Sequence, residues 1–341
     1  MFHTIRMEAP NGDRITLFPS DDRAQWKRIR DYLTGINSER EPRFGGSDVG
    51  TLMGTNPYTY RGTIFNKYIG RPTREVEYTE NMALGHLQEA SARAAFAHWD
   101  GEGWTDNFEK GLVQRDIDEA EFTVINEKYP FSFCNPDGVV LDEEGLWKEV
   151  IEYKSTGKLS VDEYLSGYAQ HHYEQLQYNM AVMGLSAGWL VYLLDGRAMR
   201  FFRFEADLDL QRRMFLAVEE MANRVLLARQ AQEALEGNEL AQFLDDLEPE
   251  INGSEECKDL LKSRHLLRES LVEIEALTED MPDLWAFEKA DTDKKAATEV
   301  YALARNKAHE LMLKRNAKKL TWPGGSLTIS RTGSLYPKFN K

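Results

Sequence analysis

The stretch that decides the fold is 133–155, FCNPDGVVLDEEGLWKEVIEYKS. Two short apolar runs flank the turn pair Glu144-Gly145, so the spacing predicts strands over Phe131–Leu141 and Leu146–Ser155 joined as a hairpin. A turn centred on Glu144-Gly145 puts Asp137 directly opposite Glu152, and facing side chains on one side of such a pair stand about 5 Å apart. Alternation gives Glu152 and Lys154 a common face and turns Tyr153 away. Two anionic groups so close repel, and one normally takes up a proton. A hard cation offsets that repulsion: Mg²⁺ uses one or two carboxylates together with water and phosphate oxygens. The Tyr153 backbone carbonyl offers one more oxygen. Lys154, beside the ion, would hold or deprotonate a water or offset charge on a phosphate. The D…ExK spacing alone describes an exposed ion pair beside a hairpin equally well.

On the N-terminal side, Ser20-Asp21-Asp22 offers an N-cap to a helix through Trp26, Ile29 and Leu33. Residues to Phe18 alternate weakly around Asn11-Gly12, as a hairpin does. Arg43-Phe44-Gly45-Gly46-Ser47-Asp48 follows, with Ser47 as expected cap of a short helix ending at Gly54. Glycines before a helix start let backbone N–H groups meet a phosphate, and Arg43 suits a bidentate contact. A helix is predicted over Tyr60–Ile69, and another over Met82–Trp99 with Leu84, Leu87, Ala94 and Phe96 facing inward. The second carries Glu89, a third carboxylate for the hairpin or an i,i+4 partner of Arg93. Phe108–Arg115 and Phe122–Tyr129 read as strands.

On the C-terminal side, Tyr168–Met183 reads as a helix stopped by Gly184, with Gln175 and Tyr178 as i,i+3 neighbours toward the strands. Tyr164, Tyr168, Tyr173 and Tyr178 could stack bases or pack a core. Adjacent His171 and His172 diverge by about 100° on a helix and chelate one ion poorly. Asp195-Gly196 joins Ala187–Leu194 to Met199–Phe204. From Asp207 to about Leu247 the chain is helical and acidic, 249–254 is a linker, helices resume over 255–320, and 320–339 forms a hairpin. The fold class is therefore mixed α/β, an α+β arrangement around a mixed sheet. It divides as 1–206 and a mainly helical extension, 207–341, ending in a basic hairpin.

A hydrophobic fraction of 42% over 341 residues supports a globular core. No apolar run reaches the roughly 18 residues of a membrane span. Two cysteines exclude a disulfide framework and a four-thiolate cluster. With no secretory signature, a cytoplasmic location in a bacterial or phage-infected cell is expected. The net charge of −15 argues against a nucleic-acid partner. It is unevenly spread: 205–256 carries 14 Asp/Glu against 4 Lys/Arg, and 289–341 carries 12 Lys/Arg against 4 Asp/Glu. No phosphate-binding P-loop sequence is present.

Taken in order, Arg43 to Asp48, Gly54-Thr55-Asn56-Pro57-Tyr58, Gly85 to Glu89, Asn135-Pro136-Asp137-Gly138, Glu152-Tyr153-Lys154 and Gln175-Leu176-Gln177-Tyr178 resemble the phage lambda-exonuclease-like family. These are the YqaJ-type viral recombinases of the PD-(D/E)XK nuclease superfamily. The resemblance runs from about Trp26 to Phe204 and implies a restriction-endonuclease-like core with a helical C-terminal extension. It implies metal ligation by Asp137, Glu152, the Tyr153 carbonyl and Glu89, and catalytic roles for Glu89, Asp137, Glu152, Lys154 and Gln175. Arg43, Ser47 and Tyr178 would contact DNA phosphate. The implied activity is a Mg²⁺-dependent 5′-to-3′ exonuclease on double-stranded DNA ends, with Mn²⁺ as a substitute, leaving 3′ tails for a single-strand annealing protein. A homo-oligomer, even a ring, is implied as well. An endonuclease or nickase on the same core, and a non-catalytic DNA-binding scaffold, are the alternatives; circular DNA separates the first and nucleotide release the second. The charged loop 37–41 and the long chain after Phe204 depart from the family pattern.

Overall fold

The computed structural model describes residues 2–36, 38–73, 79–156, 167–266, 272–292, 298–330 and 333–339. The chain forms two compact units, Met1–Thr55 with Val76–Leu226, and Asn56–Glu75 with Leu227–Lys341. This differs from a division at residue 206. The helix Leu208–Ala234 begins within the first unit, where Leu210, Met214, Val218 and Met221 recur at i,i+4 spacing and are buried. Tyr60 packs instead with Cys257, Leu260, Leu261 and Leu313, which brings the segment around it into the second unit.

In the first unit, β1 (Ile5–Glu8), β2 (Arg14–Pro19) and β4 (Phe122–Asn126) make one antiparallel sheet. A five-stranded sheet has the order β3-β5-β6-β7-β8, with β3 at Ile117–Asp118, β5 at Gly138–Leu141, β6 at Trp147–Thr156, β7 at Ala187–Leu194 and β8 at Ala198–Glu205. β6 and β7 are parallel and all other neighbours antiparallel, so the sheet is mixed as expected. A parallel pair needs a crossover; the helix Gln170–Met183 lies within it. That helix stops at Gly184, whose φ of 69° is left-handed; a Cβ there would stand 2.3 Å from Asn11 Oδ1. Asp195 and Gly196, with φ of 51° and 65°, make the tight turn between β7 and β8.

The helix Glu80–His98 covers the sheet face that carries Ile151 and Tyr153, packing Ala92 and Phe96 against them and against Trp189 and Val191. Of its four expected inward residues Phe96 is fully buried, whereas Leu84 and Leu87 are exposed, because only the C-terminal half of the helix packs on the sheet. The expected strand 108–115 is a short helix, Thr105–Glu109, followed by coil. Leu112 and Val113 stay exposed there with no sheet face to cover, and Gly111 takes a positive φ of 67°. Upstream of β5, Ser132 and Cys134 make only single bridges, to Phe44 and Val124, so the strand is shorter than read from sequence. Pro136, having no N–H, cannot continue the ladder.

The second unit holds helices Arg61–Tyr68, Gly237–Leu247, Glu255–Leu266, Met281–Thr292 and Thr298–Lys314. Its sheet has the order β12-β11-β10-β9, with β9 at Val272–Glu275, β10 at Ala317–Trp322, β11 at Gly325–Ile329 and β12 at Leu335–Phe339. The C-terminal hairpin is thus part of a larger sheet, over a core of Leu284, Phe287, Met312, Leu320, Trp322 and Leu327. The stretch 255–320 is not helical throughout: β9 pairs in parallel with β10, a non-local partner that four residues cannot announce. No helix among the described residues is long and apolar enough to cross a membrane.

Candidate active site

β5 and β6 pair Gly138 with Ile151, Val139 with Val150 and Val140 with Glu149. That register places Asp137 and Glu152 next in line, as the turn argument requires. Near the turn a bulge shifts the pairing to Leu141 with Trp147, and Asp142 N–H closes the loop on the Leu146 carbonyl at 2.9 Å. The bulge absorbs the extra loop residue, so the body of the hairpin keeps the register that matters. Asn135 is held by the Trp26 indole N–H at 3.1 Å and by the Thr123 hydroxyl. Asp137 Oδ2 accepts the Tyr153 N–H at 2.8 Å, which fixes the carboxylate over the neighbouring strand.

Glu152 is buried, and its two oxygens are served from one side. Oε1 accepts from Lys154 Nζ at 2.6 Å and Gln175 Nε2 at 2.5 Å, and Oε2 accepts from Asn179 Nδ2 at 3.0 Å. Lys154 Nζ also donates to Gln175 Oε1 at 3.0 Å, closing a ring of three side chains. Glu152 and Lys154 therefore share a face, and Tyr153 points into the opposite core.

Burial, and then the negative charge of Asp137, push the Glu152 carboxyl up to about 8. Burial likewise raises Asp137 above the ordinary carboxylate range, so the two facing carboxyls resist carrying charge together. Burial alone would strip the Lys154 ammonium of its proton. Glu152 and Asp137 outweigh burial and hold its pKa above the usual lysine value. Glu89 is raised by burial and then by Asp137, which places it within reach of the pair's field, while its carboxylate bonds His86 Nδ1 at 3.1 Å. Among the described residues no three His, Cys, Asp or Glu side chains converge as a complete ligand set. Two carboxyls facing each other across buried strands are nonetheless a donor set that a small hard cation fits, since such an ion takes one or two carboxylates and completes its shell with water and phosphate.

Residues 26–186 are similar to the YqaJ-like viral recombinase domain and match its family model. The segment is a little under half of the chain and contains every residue of the ring just described. LHK-Exo, an alkaline exonuclease from Laribacter hongkongensis, aligns with a TM-score of 0.42 at 19% identity, covering 57% of this chain and 95% of that one. The same enzyme in complex with dAMP gives 0.44 at 20% identity over the same shares. The crystal structure of SSO0001 gives 0.31 at 15%, covering 57% of this chain and 82% of that one. No curated protein matches the sequence.

Two expectations for the YqaJ-like domain change on contact with the structure. Ser47 does not cap its helix: the helix Gly46–Leu52 starts from Gly45, whose N–H donates to Asp48 Oδ2 at 3.0 Å, and Ser47 stands exposed in its first turn. Arg43, just before this turn, is half-buried. Tyr178 is not a surface residue able to meet phosphate. It is fully buried, its hydroxyl donates to the Phe44 carbonyl at 2.9 Å, and its ring lies 5.1 Å from Phe215. It braces the loop that carries Arg43 and Ser47. Tyr168 and Tyr173 pack on Phe204 at 4.8 and 4.9 Å, and Tyr164 lies outside the described residues.

Sequence reading missed Asn179, and it weighed His172 only as a metal ligand. Asn179 is i+4 from Gln175 and so shares its helix face, a signal that was available. His172 Nδ1 meets the Tyr192 hydroxyl at 3.0 Å; burial, then the Lys154 and His171 charges, push its pKa down to about 2, so it stays neutral beside the lysine. Its ring tilts 59° from that of His171.

Proposed function

We propose that this protein is a Mg²⁺-dependent deoxyribonuclease with a PD-(D/E)XK core, working as a 5′-to-3′ exonuclease on linear duplex DNA. The observation that carries this reading is the strand register that sets Asp137 opposite Glu152, with Lys154 bonded to Glu152 on the same face. Asp137, Glu152 and the Tyr153 carbonyl would hold the ion, with Glu89 near it. A bound divalent ion would acidify a water and neutralise charge on the scissile phosphate.

The protein's own side chains do the rest. Lys154, kept charged by its two carboxylate neighbours, donates toward the water or the phosphate oxygens as negative charge develops. Gln175 orients Lys154 and Glu152 together, accepting from one and donating to the other. Ser47 and Arg43 would take up phosphates of the DNA strand. Double-stranded ends as substrate, 3′ tails for a single-strand annealing protein and a homo-oligomer, a ring among its forms, complete the proposal. Digestion of linear 5′-phosphorylated duplex beside circular duplex, with and without Mg²⁺, tests it. Nucleotides should be released from the linear substrate alone and only with the ion. Cutting of the circle would replace the exonuclease reading by an endonuclease, and inertness on both would remove the nuclease.

A further inference from the structure

Asn179 ties Glu152 to a second part of the site. Its side chain is 1% exposed, on the helix Gln170–Met183 one turn beyond Gln175. Its Nδ2 donates to Glu152 Oε2, the oxygen that neither Lys154 nor Gln175 uses. The amide nitrogen faces Glu152 Oε2, which leaves the amide oxygen to point elsewhere. Asn179 Oδ1 is buried without a hydrogen-bond partner among the described residues. It lies against Gly46, where a Cβ would stand 2.3 Å from it. Gly46 opens the helix Gly46–Leu52, directly before Ser47. An acceptor left buried without a donor costs stability, so its retention needs a reason beyond packing.

We propose that Asn179 is a positioning residue that fixes the Glu152 carboxylate for metal binding, and that position 46 must be glycine so that this helix start can close over the Asn179 amide. The inference rests on the reading of Asp137 and Glu152 as metal ligands. Without Asn179, Glu152 Oε2 loses its donor among the described residues while Oε1 keeps Lys154 and Gln175, so the carboxyl is free to rotate toward those two. With alanine at position 46, the same rotation follows because Asn179 is pushed aside while its chemistry is unchanged.

The test is a Mn²⁺ titration of the full, DNA-free chain, followed by the electron paramagnetic resonance of the free ion, beside urea unfolding in EDTA. Groups that orient a metal ligand typically contribute 10–100-fold in affinity. Asn179→Leu and Gly46→Ala should each weaken Mn²⁺ binding by about that range. The double variant Gly46→Ala/Asn179→Ala should bind no more weakly than Asn179→Ala alone, since the added methyl then fills vacated space. Gly46→Ala keeps the asparagine, so the test survives an Asn179→Leu chain that fails to fold. Mn²⁺ affinity within about twofold of wild type for folded Asn179→Leu would overturn the proposal, as would losses that multiply in the double variant. A purely structural role would lower the unfolding midpoint and leave Mn²⁺ affinity intact, which also overturns it. If the wild-type chain itself binds no Mn²⁺, the metal reading beneath it fails first, and the two failures are told apart by that one control.

Discussion

Replacing Asp137 with asparagine should stabilise the metal-free protein and abolish its metal-dependent activity. The substitution keeps an oxygen to accept the Tyr153 N–H, now made at 2.8 Å, and removes the charge facing Glu152. Two unit charges about 5 Å apart repel by about 3 kcal/mol at an effective dielectric of ~20. Lys154 offsets part of this, so a gain of about 1–3 kcal/mol is expected near pH 8. The pH sign follows from Glu152, whose folded pKa of about 8 lies above the ordinary 4.5. Between those values the folded state holds a proton that the unfolded chain has released, so wild-type stability falls as pH rises across the window. Below about 4.5 both states are protonated and the advantage of the variant closes. Saturating Mg²⁺ reverses the order, because an ion at 100 times its Kd stabilises the wild type by about 2.7 kcal/mol and gives the variant far less. Urea unfolding at pH 5 and pH 8, in EDTA and in Mg²⁺, reads all four conditions. A metal-free variant no more stable than wild type at pH 8, or an equal Mg²⁺ shift in both chains, would refute the argument.

Three more outcomes are expected. Lys154→Met should reduce nucleotide release by about 10²–10³-fold, the usual loss when a donor aimed at developing charge is removed; undiminished release would take Lys154 out of the mechanism. Tyr178→Phe should cost about 1 kcal/mol in urea unfolding, because it deletes the buried hydrogen bond to the Phe44 carbonyl. A direct phosphate contact would instead show as weaker DNA binding by the folded variant. His309 is buried, and burial, then His265, Arg305 and Lys262, push its pKa down to about 3. Its folded form stays neutral where the unfolded histidine, with a pKa near 6.5, is charged. Stability should therefore fall as pH drops from about 6.5 toward 3, by up to about 1.4 kcal/mol per unit, and His309→Leu should flatten that slope.

Much of the central hairpin was legible because its determinants are local. A turn at Glu144-Gly145, alternation along Trp147–Thr156 and the two-residue gap between Glu152 and Lys154 fix which side chains share a face, whatever the rest of the chain does. The Asp195-Gly196 turn and the Gly184 stop were legible for the same reason, since each is a backbone conformation that its residue type favours. Tyr178 was expected at DNA phosphate, and its burial, which depends on Phe44 and Phe215 far away in sequence, removes it from that place. β9 was missed because its register is set by β10, and the N-cap position expected for Ser47 falls to Gly45, two residues earlier.

The sequence by itself determined that Asp137, Glu152 and Lys154 lie together, since periodicity and register need only neighbouring residues. Only the tertiary structure decided how that trio is held: Gln175 and Asn179 arrive from a crossover helix, and Glu89 from a helix on the opposite face. The physical reason is burial. The raised affinity of Glu152 for a proton and the retained charge of Lys154 depend on how much water is excluded and which dipoles replace it. Those depend on packing between elements that no short window of sequence contains.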